Sequence, residues 1–131
     1  MNYIRASVTS IDSFENITLV GFEAGDEVLV MMALELDGSL QVGSDVILAL
    51  KATTISLAKE KNTMLSISNQ LPVRIQSIDM GTLLCSVKLT FADTLIESVI
   101  TKNSAVRMGL KAEDEVVALI KASDLAIAEV L

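Results

Sequence analysis

The sequence predicts an all-β chain: two small Greek-key β-barrels of the OB type in tandem, each of five short strands, with one short helix in the second. Three observations lead there. The stretch Val46-Ile47-Leu48-Ala49-Leu50-Lys51-Ala52-Thr53-Thr54-Ile55-Ser56-Leu57-Ala58 lines up, seventy residues on, with Val116-Val117-Ala118-Leu119-Ile120-Lys121-Ala122-Ser123-Asp124-Leu125-Ala126-Ile127-Ala128. The apolar residues fall in short runs separated by turn formers. Aromatic residues make up 3% of the 131 positions and Trp is absent, so the interior is built from Val, Ile, Leu, Ala and Met, which suit tight strands and narrow barrels.

In the first unit, apolar or alternating runs cover residues 6–11, 17–22, 27–34 and 45–52, with a short tail at 55–57. Gly25 with Asp26, and Asp37 with Gly38, punctuate the turns. The charged stretch Lys59-Glu60-Lys61-Asn62 reads as the linker, dividing the chain into units 1–60 and 61–131. The second unit repeats the order at 73–78, 83–91, 95–100, 115–121 and 125–127. Between its third and fourth strands, Thr101 offers an N-cap and Gly109 a C-terminal stop, which predicts a short helix. On the seventy-residue spacing Met31 replaces Thr101 and Leu34 replaces Ser104, so the first unit loses that cap. Units of about 60 to 70 residues stand near the lower limit for an independent core, so the two are expected to pack together or exchange strands.

Composition excludes several classes. The chain is 51% hydrophobic, with a mean hydropathy of +0.55, but no uncharged stretch is long enough to span a bilayer. A soluble protein with a large apolar interior or interface is expected. A net charge of -7 and a pI of about 4.4 argue against nucleic-acid binding by this chain, because phosphate contacts need clustered Lys and Arg. The acidity is uneven: residues 1–60 carry three basic against nine acidic side chains, residues 61–131 seven against eight. The second half is the less hostile host for an anion.

There is no His, which removes the commonest general base and transition-metal ligand. Together with scattered carboxylates and the absence of a Gly-rich phosphate loop, this argues against an enzyme. The single cysteine, Cys85, reads as a small buried core residue in a reducing compartment. Met1-Asn2-Tyr3-Ile4-Arg5 lacks the layout of a signal peptide, so the cytoplasm is the expected location.

Three groups of donors stand out. Ser66-Ile67-Ser68-Asn69-Gln70-Leu71-Pro72 opens the second unit and can form an anion nest from successive amides, or serve only as a turn. Thr101-Lys102-Asn103-Ser104 adds donors at the helix start, where plain capping explains them equally well. Lys121-Ala122-Ser123 and its counterpart Lys51-Ala52-Thr53 place a cation and a hydroxyl at the end of a strand, as a ligand contact or as edge residues kept by duplication. Together they offer many neutral hydrogen-bond donors and few charges, which suits a tetrahedral oxyanion that has only acceptors.

Ser66 to Leu71, Ser98-Val99-Ile100-Thr101-Lys102-Asn103-Ser104, Gly109-Leu110 and Val117 to Ser123, in that order, resemble the Mop, or molybdate-binding TOBE, domain. The first unit resembles it more faintly, through its strand order and Lys51-Ala52-Thr53, without an opening Ser-x-x-Asn motif before Ala6. The pair is similar to the tandem di-Mop arrangement of molybdate homeostasis proteins and of the sensory end of molybdate-responsive regulators. Ser68 stands where the family usually has Arg. The resemblance implies a non-catalytic protein that binds molybdate or tungstate as an intact oxyanion, with no directly coordinated metal, through Ser66, Ile67, Ser68, Asn69, Thr101, Ser104, Lys121, Ala122 and Ser123, and more weakly through Lys51, Ala52 and Thr53. It also implies a homo-oligomer, dimer or trimer, in which sites borrow residues from two units. The alternatives are a sensory or oligomerisation module of a regulator or transporter ATPase, or a purely structural assembly domain with exposed Met31-Met32 as subunit contacts.

Overall fold

The structure, a computed structural model, describes residues 1–36 and 38–131. The strands are β1 (Asn2–Phe14), β2 (Ile17–Ala24), β3 (Glu27–Ala33), β4 (Asp45–Leu50), β5 (Ser56–Ala58), β6 (Asn69–Met80), β7 (Leu84–Phe91), β8 (Thr94–Thr101), β9 (Glu115–Ile120) and β10 (Ala126–Val130). Helix α1 covers Lys102–Met108, and 3-10 turns cover Ala52–Thr54 and Ala122–Asp124. The expected strands are all present. β1 and β6 start earlier than the apolar runs at 6 and 73, because Tyr3, Arg5, Pro72 and Arg74 occupy the wet face while Ile4, Ala6, Leu71 and Val73 alternate inward. Of the expected turn at Asp37 and Gly38, Asp37 lies outside the described residues.

The strands form two five-stranded sheets, ordered β10-β4-β1-β2-β3 and β5-β9-β6-β7-β8. In each, three hairpin-linked strands are followed by a fourth that returns beside the first, the Greek-key order. The outermost strand comes from the other half of the chain. β5 pairs with β9, Ser56 opposite Leu119, and β10 pairs with β4, Ala126 opposite Ala49. Each sheet is thus completed across the sequence boundary near residue 60, so the sheets do not divide as 1–60 and 61–131. The physical reason is economy of core: Phe22, Leu29, Leu48, Leu71, Ile75 and Leu89 belong to one contiguous buried cluster drawn from both halves.

The repeat has two spacings. β1 to β3 correspond to β6 to β8 at sixty-seven residues, down to a matching β-bulge between Val8 and Ser10 and between Ile75 and Ser77. β4, the 3-10 turn and Ile55 correspond to β9, its turn and Leu125 at seventy. The second copy therefore has three more residues between its third and fourth strands, and there it forms α1. Thr101 accepts a hydrogen bond from the Ser104 N–H through its side chain, and Gly109 closes the helix in the left-handed region at φ 62.

These spacings correct two expectations. The counterpart of Thr101 is Leu34, and that of Ser98 is Met31. Met31 is buried, 2% exposed, and only Met32 of the expected pair faces outward.

Candidate functional site

The register of β6 against β9 decides which donors meet. Asn69 lies opposite Ile120, so Ser68 and Lys121 stand one step beyond the last pair, at the same end of the sheet. Here the loop Ser66-Ile67-Ser68 runs into β6 and the turn Lys121-Ala122-Ser123 leaves β9. Among the described residues, the side chains of Ser66, Ser68, Lys121 and Ser123 have no hydrogen-bond or ion-pair partner, and neither do the amide N–H groups of Ser66, Ile67, Ser68, Ala122 and Ser123. Gln70 holds the loop in shape: its Nε2 donates to the carbonyls of Asn62 and Ile67, and its Oε1 accepts from the Asn62 N–H at 2.8 Å. Lys121, Ser66, Ser68 and Ser123 are exposed, and Ile67 and Ala122 are half-buried.

The other expected residues fall elsewhere. Asn69 is fully buried: its Oδ1 accepts from the Val30 N–H at 2.8 Å and its Nδ2 donates to the Val30 carbonyl at 2.9 Å. Thr101 and Ser104 are occupied by the helix start, where their hydroxyls meet at 2.9 Å and Arg107 donates to the Ser104 Oγ at 3.2 Å. α1 packs on β7 and β8, whereas the turn carrying Lys121 to Ser123 packs on β3 of the other sheet. Of the three donor sets, two lie at the same end of the sheet and the third forms a cap. Lys51-Ala52-Thr53 forms the equivalent turn of the first repeat and packs against β8, where Ser98 Oγ donates to the Ile55 carbonyl at 2.7 Å.

Asn2 gave no signal in the sequence. It is the counterpart of Asn69, so the first unit does retain the asparagine of the opening motif. Its Nδ2 donates to the Glu97 carbonyl at 2.8 Å and its Oδ1 accepts from the Glu97 N–H at 2.9 Å. The sixty-seven-residue spacing that reveals it is hidden because the most obvious repeat runs at seventy.

Beside the loop, an open hollow of about 480 Å³ is lined by Ile67, Ser68, Thr63 and Lys61, with Asp26 from the β2–β3 turn and Glu27 from the start of β3. The two carboxylates face the same space as Ser68 and Lys61, so the lining of this hollow carries charges of both signs. Elsewhere, the Lys88 ammonium at 2.8 Å and the Ser86 hydroxyl hold the Glu97 carboxyl below its ordinary range. Burial, with the Asp79 charge behind it, pushes the Cys85 thiol up, as expected of an inert core cysteine. Among the described residues, no group of three His, Cys, Asp or Glu could hold a metal ion, and no helix is long and apolar enough to cross a membrane.

The two-sheet arrangement and the motif order define the class. Residues 65–127, from the serine loop to the middle of β10, match the model of the TOBE domain. Among solved structures, the chain is similar to the cytoplasmic molybdate-binding protein ModG in a crystal form with molybdate bound. The two share 26% identity, with 96% of this chain and 94% of that chain covered at a TM-score of 0.89. No curated protein matches the chain in sequence.

Proposed function

We propose that this chain binds molybdate as an intact oxyanion and holds it without transforming it, for storage, homeostasis or sensing. Tungstate, with the same shape and charge, is the second ligand. One observation carries the reading: at the shared end of β6 and β9, five backbone amides, the hydroxyls of Ser66, Ser68 and Ser123 and the ammonium of Lys121 are without partners in the chain. Exposed donors of this kind match a ligand with four acceptor oxygens, and one ammonium offsets part of its charge. The likeness to ModG, whose crystal holds molybdate, supports the choice of anion.

In this reading Ser66, Ile67 and Ser68 act through their amides and hydroxyls, and Ala122 and Ser123 complete the cradle around Lys121. Ser68 keeps the amide while lacking a long cationic arm. Lys51, Ala52 and Thr53 supply a weaker second site. The two sheets act as tandem OB-type barrels that have exchanged their last strands. A homo-oligomer closes the open side of each cradle, and the cytoplasm is the place of action, as ModG is cytoplasmic. Self-association is supported by an outward apolar patch on β1 to β3, where Phe14 lies opposite Ile17 and Leu19 opposite Met32.

Discrimination against sulfate comes from the size of the enclosure, because Mo–O bonds are longer than S–O bonds. Titration calorimetry with sodium molybdate, tungstate and sulfate tests this. Sub-millimolar binding of the first two and none of sulfate is expected, with a matching rise in melting midpoint. No heat and no shift with either metal oxyanion would leave a purely structural assembly domain as the better account.

A further inference from the structure

Asn69 belongs to the motif that suggested a ligand contact, yet the geometry points to a different role. We infer that Asn69 is a positioning residue of the oxyanion site: its carboxamide grips the backbone of β3 and thereby sets where the Ser66–Ser68 amides stand relative to Lys121. This rests on the oxyanion reading above.

Asn69 is 0% exposed, and both ends of its carboxamide are engaged by the backbone of one residue, Val30. A carboxamide has the donor and acceptor of a peptide unit, so it pairs with Val30 as a neighbouring strand would. β3 is an edge strand, hydrogen-bonded only to β2, which leaves the Val30 backbone free for that pairing. The side chain therefore has neither surface nor spare hydrogen-bonding capacity at the Oδ1–Nδ2 face to offer a ligand. Its position in the chain matters instead. Ser68 precedes it directly, and Ile120 opposite it leads directly into Lys121. The turn Ala122–Asp124 also packs on β3, so one strand serves as the common floor for both arms of the cradle, and Asn69 bolts the first arm to it.

The chain supplies its own control. Asn2 makes the same two bonds, at 2.8 and 2.9 Å, to Glu97 in β8, the edge strand of the other sheet. Each clamp ties one sheet to the other and contributes in the same way to stability. Only Asn69 adjoins the unpaired amides of Ser66 to Ser68.

Titration with sodium molybdate in a Lys51→Ala background, which weakens the second site further, separates the two roles. Asn69→Ala and Asn2→Ala should lower the melting midpoint by similar amounts. Asn69→Ala should also weaken molybdate binding by about tenfold or more, the usual scale for residues that orient a ligand's direct contacts, while Asn2→Ala leaves it unchanged. Combined with Lys121→Ala, Asn69→Ala should add less than its separate effect, since both act on one site. Should Asn69→Ala fail to fold, Asn69→Ser and Asn2→Ser allow the same comparison, as each keeps a small neutral polar side chain while giving up the two-bond grip on the opposite backbone. Equal effects of the two asparagines on affinity, or no effect of Asn69, overturn the positioning role while the oxyanion reading stands. An unmutated chain that takes up no molybdate overturns both.

Discussion

Replacing Lys121 by Ala removes the cation from the candidate cradle and leaves the amides and hydroxyls in place. Lys121 is exposed and makes no ion pair among the described residues, so its loss strands no buried partner and the stability of the fold should hardly change. Its effect on a dianion is set by the dielectric around it. At about 4 Å, two unit charges interact by about 1 kcal/mol in bulk water and by about 4 kcal/mol at an effective dielectric of 20. Exposure places Lys121 at the watery end, so a doubly negative ion loses about 2 kcal/mol of attraction, a weakening of about thirtyfold. Lys121→Arg keeps the charge and should recover most of it. Calorimetric titration across a salt series adds an internal check. The gap in affinity between the parent and the Lys121→Ala variant should narrow toward about 1 M salt, where the screening length falls to about 3 Å. A substituted protein that binds molybdate as tightly as the parent at low salt would refute the placement of this ammonium at the anion.

Two further outcomes test the fold and the division of labour among the donors. A stop after Leu125 deletes β10, which lies beside β4, so hydrogen exchange should report lost protection in Val46–Leu50 and Ile4–Val8 ahead of Leu71–Ile75; the reverse order would contradict the exchange of outer strands. Thr101→Ala removes the acceptor for the Ser104 N–H at 3.1 Å and should lower stability by about 1 kcal/mol in thermal unfolding, with molybdate affinity unchanged. A loss of affinity there would return the helix start to the site.

The strands were legible because their signal is local. Alternation along β6, with Leu71, Val73 and Ile75 turned inward and Pro72 and Arg74 outward, needs no knowledge of the partner strand. The helix was equally local, with Thr101 and Gly109 marking its ends. The serine loop and the lysine turns were legible as donors for the same reason: their chemistry is written in adjacent residues. The asparagines were harder. A buried Asn is recognised by what it bonds, and Val30 and Glu97 lie far away along the chain.

By itself, then, the sequence determined the β class, the repeated order of strands, the position of the helix and an inventory of donors suited to an oxyanion. Those depend on side-chain pattern and on contacts within a few residues. Tertiary structure alone decided that β5 and β10 change sheets, that Thr101 and Ser104 cap a helix apart from Lys121, and that Asn2 and Asn69 hold the two edges. Each of these turns on hydrogen bonds and burial between segments remote along the chain, and such pairings are chosen by the shape of the shared core, which no local pattern encodes.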